Sequence, residues 1–324
     1  MKALVYRCTN PVVGWRNAHE RNPRGYAYET DSQFVHVYGA QEGLWVISPG
    51  LTISIGKIGN LEGWVRQAFG AEDVEQSDSE LGQSVEAIWR PGIFFDVDMF
   101  AGLAQSPADL RVAEQRLLLI IQRLDEILLY VEPTEESKAV FSHKTRELLI
   151  LACTEVEAYW KYYLDKAGLT PSGQGFRTSG YIQLKEPLHL AEFEVAFPRY
   201  ESVPPIWPFA DWDQDKPSQS IEWYSQYNAT KHDGLNHLKS ATLLACFQAV
   251  AANVVMFSVR FGPHRLFGGA GMLSALVNSM LTISLKDCDP KSFYVPRLAV
   301  EGRGANITWG HAETIPPTPS PFRL

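Results

Sequence analysis

Two long uncharged runs constrain the fold of this chain more than any other feature. Residues 240–259 and residues 266–285 each comprise twenty residues without Asp, Glu, Lys or Arg. Burial of apolar surface is the dominant favourable contribution to folding, so each run must be covered by protein or by lipid. By length alone, each run is long enough to span a bilayer.

A buried core helix is the favoured interpretation of the first run. Gln248 and Asn253 lie in its middle, and Gly262 with Pro263 predicts that the helix ends at Arg260. A Gly-Gly-Ala-Gly sequence breaks the second run, and basic residues flank both runs without the asymmetry of a membrane topology. A membrane-associated helical hairpin is therefore only the third interpretation, and no membrane partner is expected.

The overall charge limits which partners the protein can bind. A formal net charge of -8 opposes nonspecific binding to nucleic acids, so any RNA contact needs a local basic patch. The four cysteines are far apart and form no C-x-x-C pair, and the N-terminus lacks the pattern of a signal peptide. The sequence therefore predicts a cytoplasmic protein without disulfides, and no cofactor.

The first 105 residues are predicted to form a smaller α+β module whose role the sequence does not reveal. Gly and Pro signals delimit short strands, a helix and an acidic loop, at residues 34–38, 44–48, 51–57, 61–69 and 72–80 in that order. Asp96 and Asp98 form a D-x-D pair. Such a pair can bind a divalent cation, but two acids on one strand face are usually solvated, so no metal site is predicted.

Residues 106–289 are predicted to form a helical domain. Ser106, Pro107 and Asp109 are a strong helix-start signature, and the helix is expected to extend to about residue 131. Thr134 is expected to cap a second helix that reaches residue 167, before a glycine.

An irregular insertion is predicted at residues 169–217. It contains a plausible hairpin, with strands at residues 181–184 and 193–197. Its Trp- and Pro-rich residues 204–212 are interpreted as a lid over the core, with a recognition groove as the alternative. Residues 290–324 are predicted to be an irregular Pro-rich tail. The predicted fold class is therefore mainly α, a helical bundle preceded by a smaller α+β module.

A dense polar motif leads into the first uncharged run. Residues 221–234 read IEWYSQYNATKHDG. On a helix, Asn228 and His232 are spaced i and i+4 and share a face, with Lys231 beside them. The motif is therefore a candidate polar site.

Two acids on the second predicted helix are candidates to face this motif. Glu155 and Glu157 lie at opposite edges of an apolar stripe. Glu157 has Lys161 at i+4 and is interpreted as a surface ion pair. Glu155 is therefore the acid expected to approach a partner helix.

The order of the predicted elements resembles that of the HEPN superfamily. Two long helices are followed by an insertion and by a short polar helix that leads into a buried helix. The resemblance is carried by residues 148–157 (LLILACTEVE) and 223–233 (WYSQYNATKHD), and it extends over residues 106–262. It implies a homodimeric, metal-independent endoribonuclease of the kind found in prokaryotic stress and defence systems. In such enzymes, His moves a proton while Arg holds the developing negative charge.

The resemblance assigns roles to four residues of this chain. His232 matches the acid/base, Asn228 the positioning group and Lys231 the phosphate contact, while Glu155 is expected to orient His232. The signature Arg is absent, since residues 225–227 at the expected spacing are Ser, Gln and Tyr. Lys231 does not reproduce the bidentate fork of an arginine.

Three functions therefore remain open from the sequence. The first is an RNA-cleaving or RNA-binding HEPN-like protein with a degenerate site. The second is a non-catalytic scaffold or dimerisation module in which Asn228, Lys231 and His232 form a polar network with Glu155. The third is the membrane hairpin. Expected partners are a second copy of the chain, RNA, and a protein bound through the N-terminal module.

Overall fold

The chain forms two compact units. The computed structural model describes residues 1–10, 23–40, 44, 46–94, 96–171, 175–232, 236–300, 306–308 and 313–324. The first unit comprises Met1–Gln105 and Asp287–Pro321, and the second comprises Ser106–Lys286 and Phe322–Leu324. Helices account for 44% and strands for 20% of the structure. The chain as a whole is a mixed α/β protein, and the predicted mainly α fold describes only the second unit.

The first unit contains an antiparallel sheet. Its N-terminal part comprises β1 (Lys2–Arg7), β2 (Arg24–Glu29), β3 (Gln33–Ala40), β4 (Val46–Gly56), α1 (Leu61–Phe69), β5 (Glu72–Glu80), β6 (Gln83–Val85) and α2 (Asp96–Gly102). The sheet order is β4-β3-β2-β1-β5 within this part, and every neighbouring pair is antiparallel. Strand β3 and helix α1 lie where the sequence predicts them, and the two strands predicted at residues 44–48 and 51–57 are one strand, β4.

Residues 72–80 are an edge strand and not the predicted loop. Strand β5 pairs with β1, and Ser77 is its only fully buried member, accepting a hydrogen bond from the backbone N–H of Ala3 at 3.0 Å. The other side chains of β5 are exposed or half-buried, so the strand has no apolar alternation that the sequence reveals. The strand forms because its backbone pairs with β1, which is distant in the sequence.

The D-x-D pair lies on a helix and not on a strand. Asp96 and Asp98 both occupy the first turn of α2. Asp98 is buried and accepts a hydrogen bond from Thr314 Oγ1 at 2.8 Å. Burial raises the pKa of Asp98, although the bond from Thr314 opposes the shift. The expectation of two solvated acids is therefore wrong for Asp98.

The second unit is built mainly from helices. They are α3 (Pro107–Leu128), α4 (His143–Lys166), α5 (Thr178–Tyr181), α6 (Glu222–His232), α7 (Leu243–Phe261), α8 (His264–Gly268) and α9 (Met272–Met280). The Ser106 hydroxyl caps α3 by accepting from the Asp109 N–H. Helix α4 starts later than predicted, because Ser142 and Thr145 form a capping box while Thr134 closes a separate short turn.

The predicted hairpin in the insertion is wrong. Residues 181–184 are helical, and β7 (Phe193–Ala196) pairs instead with β8 (Thr282–Leu285). The Trp- and Pro-rich segment covers the core, as the lid interpretation predicts, since Phe209 and Trp212 are buried. Trp207 remains 42% exposed.

Helix α7 is the buried core helix predicted from the first uncharged run. Sixteen of its nineteen residues are buried, and α3, α4 and α6 pack against it. Asn253 is accommodated because its side-chain amide donates to the carbonyls of Ala152 at 2.9 Å and Ala249 at 2.8 Å. Gly262, at φ 88°, ends the helix.

Only one described helix is long and apolar enough to cross a membrane. It is α7, and 83% of its most apolar window is buried within the protein. The second uncharged run is divided among α8, α9 and β8, each too short to span a bilayer. Within the described residues, the second run therefore contributes no spanning helix to pair with α7.

The C-terminal residues complete the first unit and contain strands instead of a wholly irregular tail. They comprise β9 (Arg297–Leu298), β10 (Asn306–Thr308), β11 (Thr314–Ile315) and β12 (Thr318–Ser320). Strand β10 joins β4 at the edge of the sheet, β11 pairs with β9, and β12 lies parallel to β6. Proline has no N–H to donate to a second neighbouring strand. A two-stranded pairing such as β12 with β6 leaves one edge of each strand unpaired, so it can include a proline.

Candidate functional site

Helices α4 and α6 pack together and place three long polar side chains of α6 against one acid of α4. Tyr224, Tyr227 and Lys231 are spaced three and four residues apart, so they share one face of α6. Glu157 projects from α4 toward that face. We call these four residues the Glu157 cluster.

Glu157 accepts hydrogen bonds on both of its carboxylate oxygens. Tyr224 Oη donates to Oε1 at 2.8 Å, and Tyr227 Oη donates to Oε2 at 3.3 Å. Lys231 Nζ donates to Tyr227 Oη at 2.7 Å and lies 3.7 Å from Glu157 Oε2. The ammonium also lies 4.9 Å from the centroid of the Tyr227 ring. The cluster is a connected network of one carboxylate, two phenols and one ammonium.

The electrostatics keep the phenols protonated and the lysine charged. Burial, reinforced by the negative charge of Glu157, raises the pKa of Tyr224. Burial also raises the pKa of Tyr227, although the hydrogen bond from Lys231 opposes it. The bond to Tyr227 and the charge of Glu157 raise the pKa of Lys231. The cluster can therefore donate hydrogen bonds and present positive charge, but its phenols are poor bases at neutral pH.

A polar cleft opens beside the cluster. It has a volume of about 440 Å³ and is lined by Glu157, Phe176, Arg177, Thr178, Ser179, Tyr181, Pro217, Ser218, Tyr224 and Lys231. Two cations therefore face one carboxylate, and the surplus positive charge suits an anionic ligand. Hydroxyl groups and the aromatic rings of Phe176 and Tyr181 complete the lining. Arg177 belongs to the insertion and carried no signal in the sequence beyond its charge.

The structure separates the two acids of α4. Glu155 interacts with Arg116 of α3, whose Nη1 lies 3.1 Å from Glu155 Oε1. Glu157 was expected to pair with Lys161, but its carboxylate bonds to Tyr224 and Tyr227 of α6. Residues two apart on a helix are rotated by about 200°, so they face different neighbours. Glu155 does approach a partner helix, α3, whereas the interpretation of Glu157 as a surface ion pair misses its contact with α6.

The other predicted site residues lie on α6. Lys231 belongs to the cluster, and Asn228 is half-buried one turn earlier. His232 is the last residue of α6, and its side chain lies outside the described part of the structure, as do residues 233–235. The predicted contact between Glu155 and His232 therefore stays a prediction.

An arginine from α4 approaches the end of α6. Arg146 Nη2 donates to the backbone carbonyl of Thr230 at 3.2 Å. Positive charge is favourable at a helix C-terminus, where carbonyl groups lack partners within the helix. The spacing rule used on the sequence misses this residue, because Arg146 precedes Thr230 by 84 residues.

Arg260 and His264 lie at helix ends, where their contacts stabilise the fold and do not form a site. The Arg260 guanidinium lies 3.6 Å from the centroid of the Tyr162 ring and 3.6 Å from Asp109 Oδ2. His264 begins α8, and burial lowers its pKa to about 4. These contacts fit the helix-terminus interpretation of this pair.

Comparison with protein-family models, with curated proteins and with solved structures finds no match. The chemistry of the cleft is therefore inferred from its own residues. Those residues include two cations, one carboxylate that is already hydrogen-bonded by Tyr224, neutral hydroxyl groups and the ring of Phe176.

Replacing Glu157 by alanine should destabilise the protein more than replacing Glu155. Loss of Glu157 leaves two buried phenols without their acceptor, at a cost of about 1–3 kcal/mol. Loss of Glu155 breaks a pair with a half-exposed arginine, at a cost of about 0–1 kcal/mol. Urea unfolding of Glu157→Ala and the matched control Glu155→Ala measures both, and a larger loss for Glu155→Ala would contradict the assignment.

Stability should fall as the pH decreases from 6.5 toward 4 because of His264. Its pKa is about 4 in the folded chain, against 6.5 when exposed, so the unfolded state binds a proton first in this window. The free energy of unfolding of His264→Gln should depend less on pH than that of the wild type. The matched control His143→Gln, at an exposed position, should keep the wild-type slope. Equal slopes for all three proteins would refute the prediction.

Proposed function

We propose that the chain is a HEPN-like RNA-binding protein that holds single-stranded RNA in the cleft beside the Glu157 cluster. The observation that carries the proposal is the pairing of Arg177 and Lys231 in one cleft of about 440 Å³. Cations contact phosphates, and aromatic side chains stack on unpaired bases. Phe176 supplies such a ring, partly exposed and supported by the buried ring of Tyr181, whose centroid lies 6.2 Å away.

Local charge matters because the chain as a whole is acidic. A net charge of -8 repels nucleic acid except where cations are concentrated. Arg177 and Lys231 provide such a place, and Glu157 neutralises only one of them. The hydroxyl groups of Thr178 and Ser179 add neutral hydrogen-bonding groups for phosphate or sugar oxygens.

The catalytic form of this proposal is metal-independent RNA cleavage. His232 is its acid/base, because the ordinary pKa of histidine lies near neutrality. Lys231 contacts the phosphate and Asn228 positions the substrate. Arg146 takes the place of the missing signature arginine, since α4 brings its guanidinium to Thr230 at the end of α6. A guanidinium there would stabilise negative charge as the ribose 2′-hydroxyl attacks the adjacent phosphate.

The proposal extends to the assembly. The second unit is taken as a HEPN-like helical bundle that pairs with a second copy in the cytoplasm, in a prokaryotic stress or defence role. The first unit is taken to recognise a protein partner.

A non-catalytic scaffold is the second candidate, and one observation favours it. Both oxygens of Glu157 are already bonded within the chain, so the cluster can serve as a fixed network that sets how α4 and α6 pack. In that case Lys231 has no ligand, and RNA has no preference for the cleft.

Lys231→Ala should weaken binding of single-stranded RNA about tenfold, the loss typical of one charge-assisted hydrogen bond. The salt dependence of binding should also fall by about one phosphate contact. Fluorescence anisotropy with a labelled oligoribonucleotide measures both. Lys161→Ala is the matched control, because Lys161 is an exposed lysine of α4 that does not line the cleft. Equal affinity of the two variants would contradict the RNA site.

Incubation of RNA with the protein in EDTA tests cleavage separately. The catalytic form predicts that wild-type protein cuts, that His232→Ala loses at least about a hundredfold in rate, and that Arg146→Ala loses a comparable amount. Equal cutting by wild type and His232→Ala would exclude His232 as the acid/base. Binding without cutting by either protein would leave the RNA-binding form and exclude the catalytic one.

A further inference from the structure

A second concave site is lined by the start of α6 and by the segment that precedes it. Its volume is about 330 Å³, and we call it the Trp207 groove. Its walls come from the Trp- and Pro-rich segment, from the start of α6 and from α7, and they include Pro204, Trp207, Asp211, Glu222, Leu244 and Gln248. Leu244 and Gln248 are among the few residues of α7 that are not buried.

The groove combines apolar walls with negative charge. Asp211 and Glu222 are its ionisable lining residues, and none of the fourteen residues that line it is Lys, Arg or His. Trp207 is 42% exposed and presents an indole ring to the groove. The charge of this site is therefore opposite to that of the RNA cleft, which contains two cations.

Hydrogen bonds hold the walls of the groove in place. The indole N–H of Trp212 donates to the carbonyl of Pro217 at 3.0 Å, and that of Trp223 donates to the carbonyl of Pro208 at 3.0 Å. Both indoles are buried. A preformed site loses less conformational freedom when it binds a ligand.

We propose that the Trp207 groove binds a segment of a partner protein that presents an arginine or lysine next to an apolar side chain. A cation is attracted to the face of an indole and to carboxylates, whereas the apolar neighbour is covered by the proline and leucine walls. RNA is disfavoured here, because two carboxylates repel phosphate. The inference is independent of the proposed RNA site, which uses different side chains.

Isothermal titration calorimetry with capped peptides tests the proposal on the full chain. The probe carries one central arginine between leucines, and the comparison peptide carries glutamate in its place. Wild-type protein should bind the arginine peptide and not the glutamate peptide. Asp211→Asn should weaken binding by about tenfold or more, as expected for loss of a charge-assisted contact.

Two controls separate the groove from general effects. Asp215→Asn removes a neighbouring exposed carboxylate that does not line the groove, and it should bind like the wild type. Trp207→Ala should lose binding, while Trp207→Phe should retain part of it. Circular dichroism should show the same helix content for each variant.

Four results would overturn the proposal. They are no saturable binding of the arginine peptide, equal binding of both peptides, equal effects of Asp211→Asn and Asp215→Asn, and unchanged binding by Trp207→Ala. Equal binding of both peptides would assign the groove to a purely apolar segment. A fifth result, a dimer that dissociates in Trp207→Ala without peptide, would also overturn the proposal and would assign the groove to a second copy of the chain.

Discussion

Burial of helix α7 is the constraint on which the second unit depends. Sixteen of its nineteen residues are buried, so neighbouring elements must cover it on nearly every side. Alanines such as Ala249 and Ala252 let neighbouring helices approach closely, and Asn253 ties α7 to α4 through the Ala152 carbonyl. Helices α4 and α6 both pack against α7. Their mutual position, and with it the Glu157 cluster, follows from that shared contact.

The segment that enters α6 separates two sites of opposite charge. Pro217 and Ser218 line the cleft that contains Lys231, whereas Ser220 and Glu222 line the Trp207 groove. On α6 itself, Glu222 and Tyr224 are two residues apart and therefore rotated by about 200° from each other, and they line different sites. A ligand in either site contacts the same segment. The proposed RNA matches the positive cleft, and the proposed basic protein segment matches the negative groove. The two sites share no lining residue, so the two partners do not compete for a side chain.

Sequence signals predicted the elements whose structure depends on neighbouring residues. The cap at Ser106, the helix at residues 61–69 and the buried helix before Gly262 depend on nearby residues, and the structure contains them. Pairings between distant residues were missed, including β5 with β1, because an edge strand needs no apolar alternation. The contact of Glu157 with α6 was missed for the same reason. Which face of α4 meets α6 depends on tertiary packing, and Arg177 reaches the cleft only through the fold of the insertion.

Cross-linking to RNA tests the central claim, that the cleft beside the Glu157 cluster is where the protein meets its ligand. Single-stranded RNA containing 4-thiouridine would be irradiated with the wild-type protein, and the modified peptides would be identified by mass spectrometry. The account predicts adducts on the lining of the cleft at or beside Phe176, whose ring is partly exposed. Adducts confined to other parts of the chain, or no adducts at RNA concentrations that saturate binding, would contradict it.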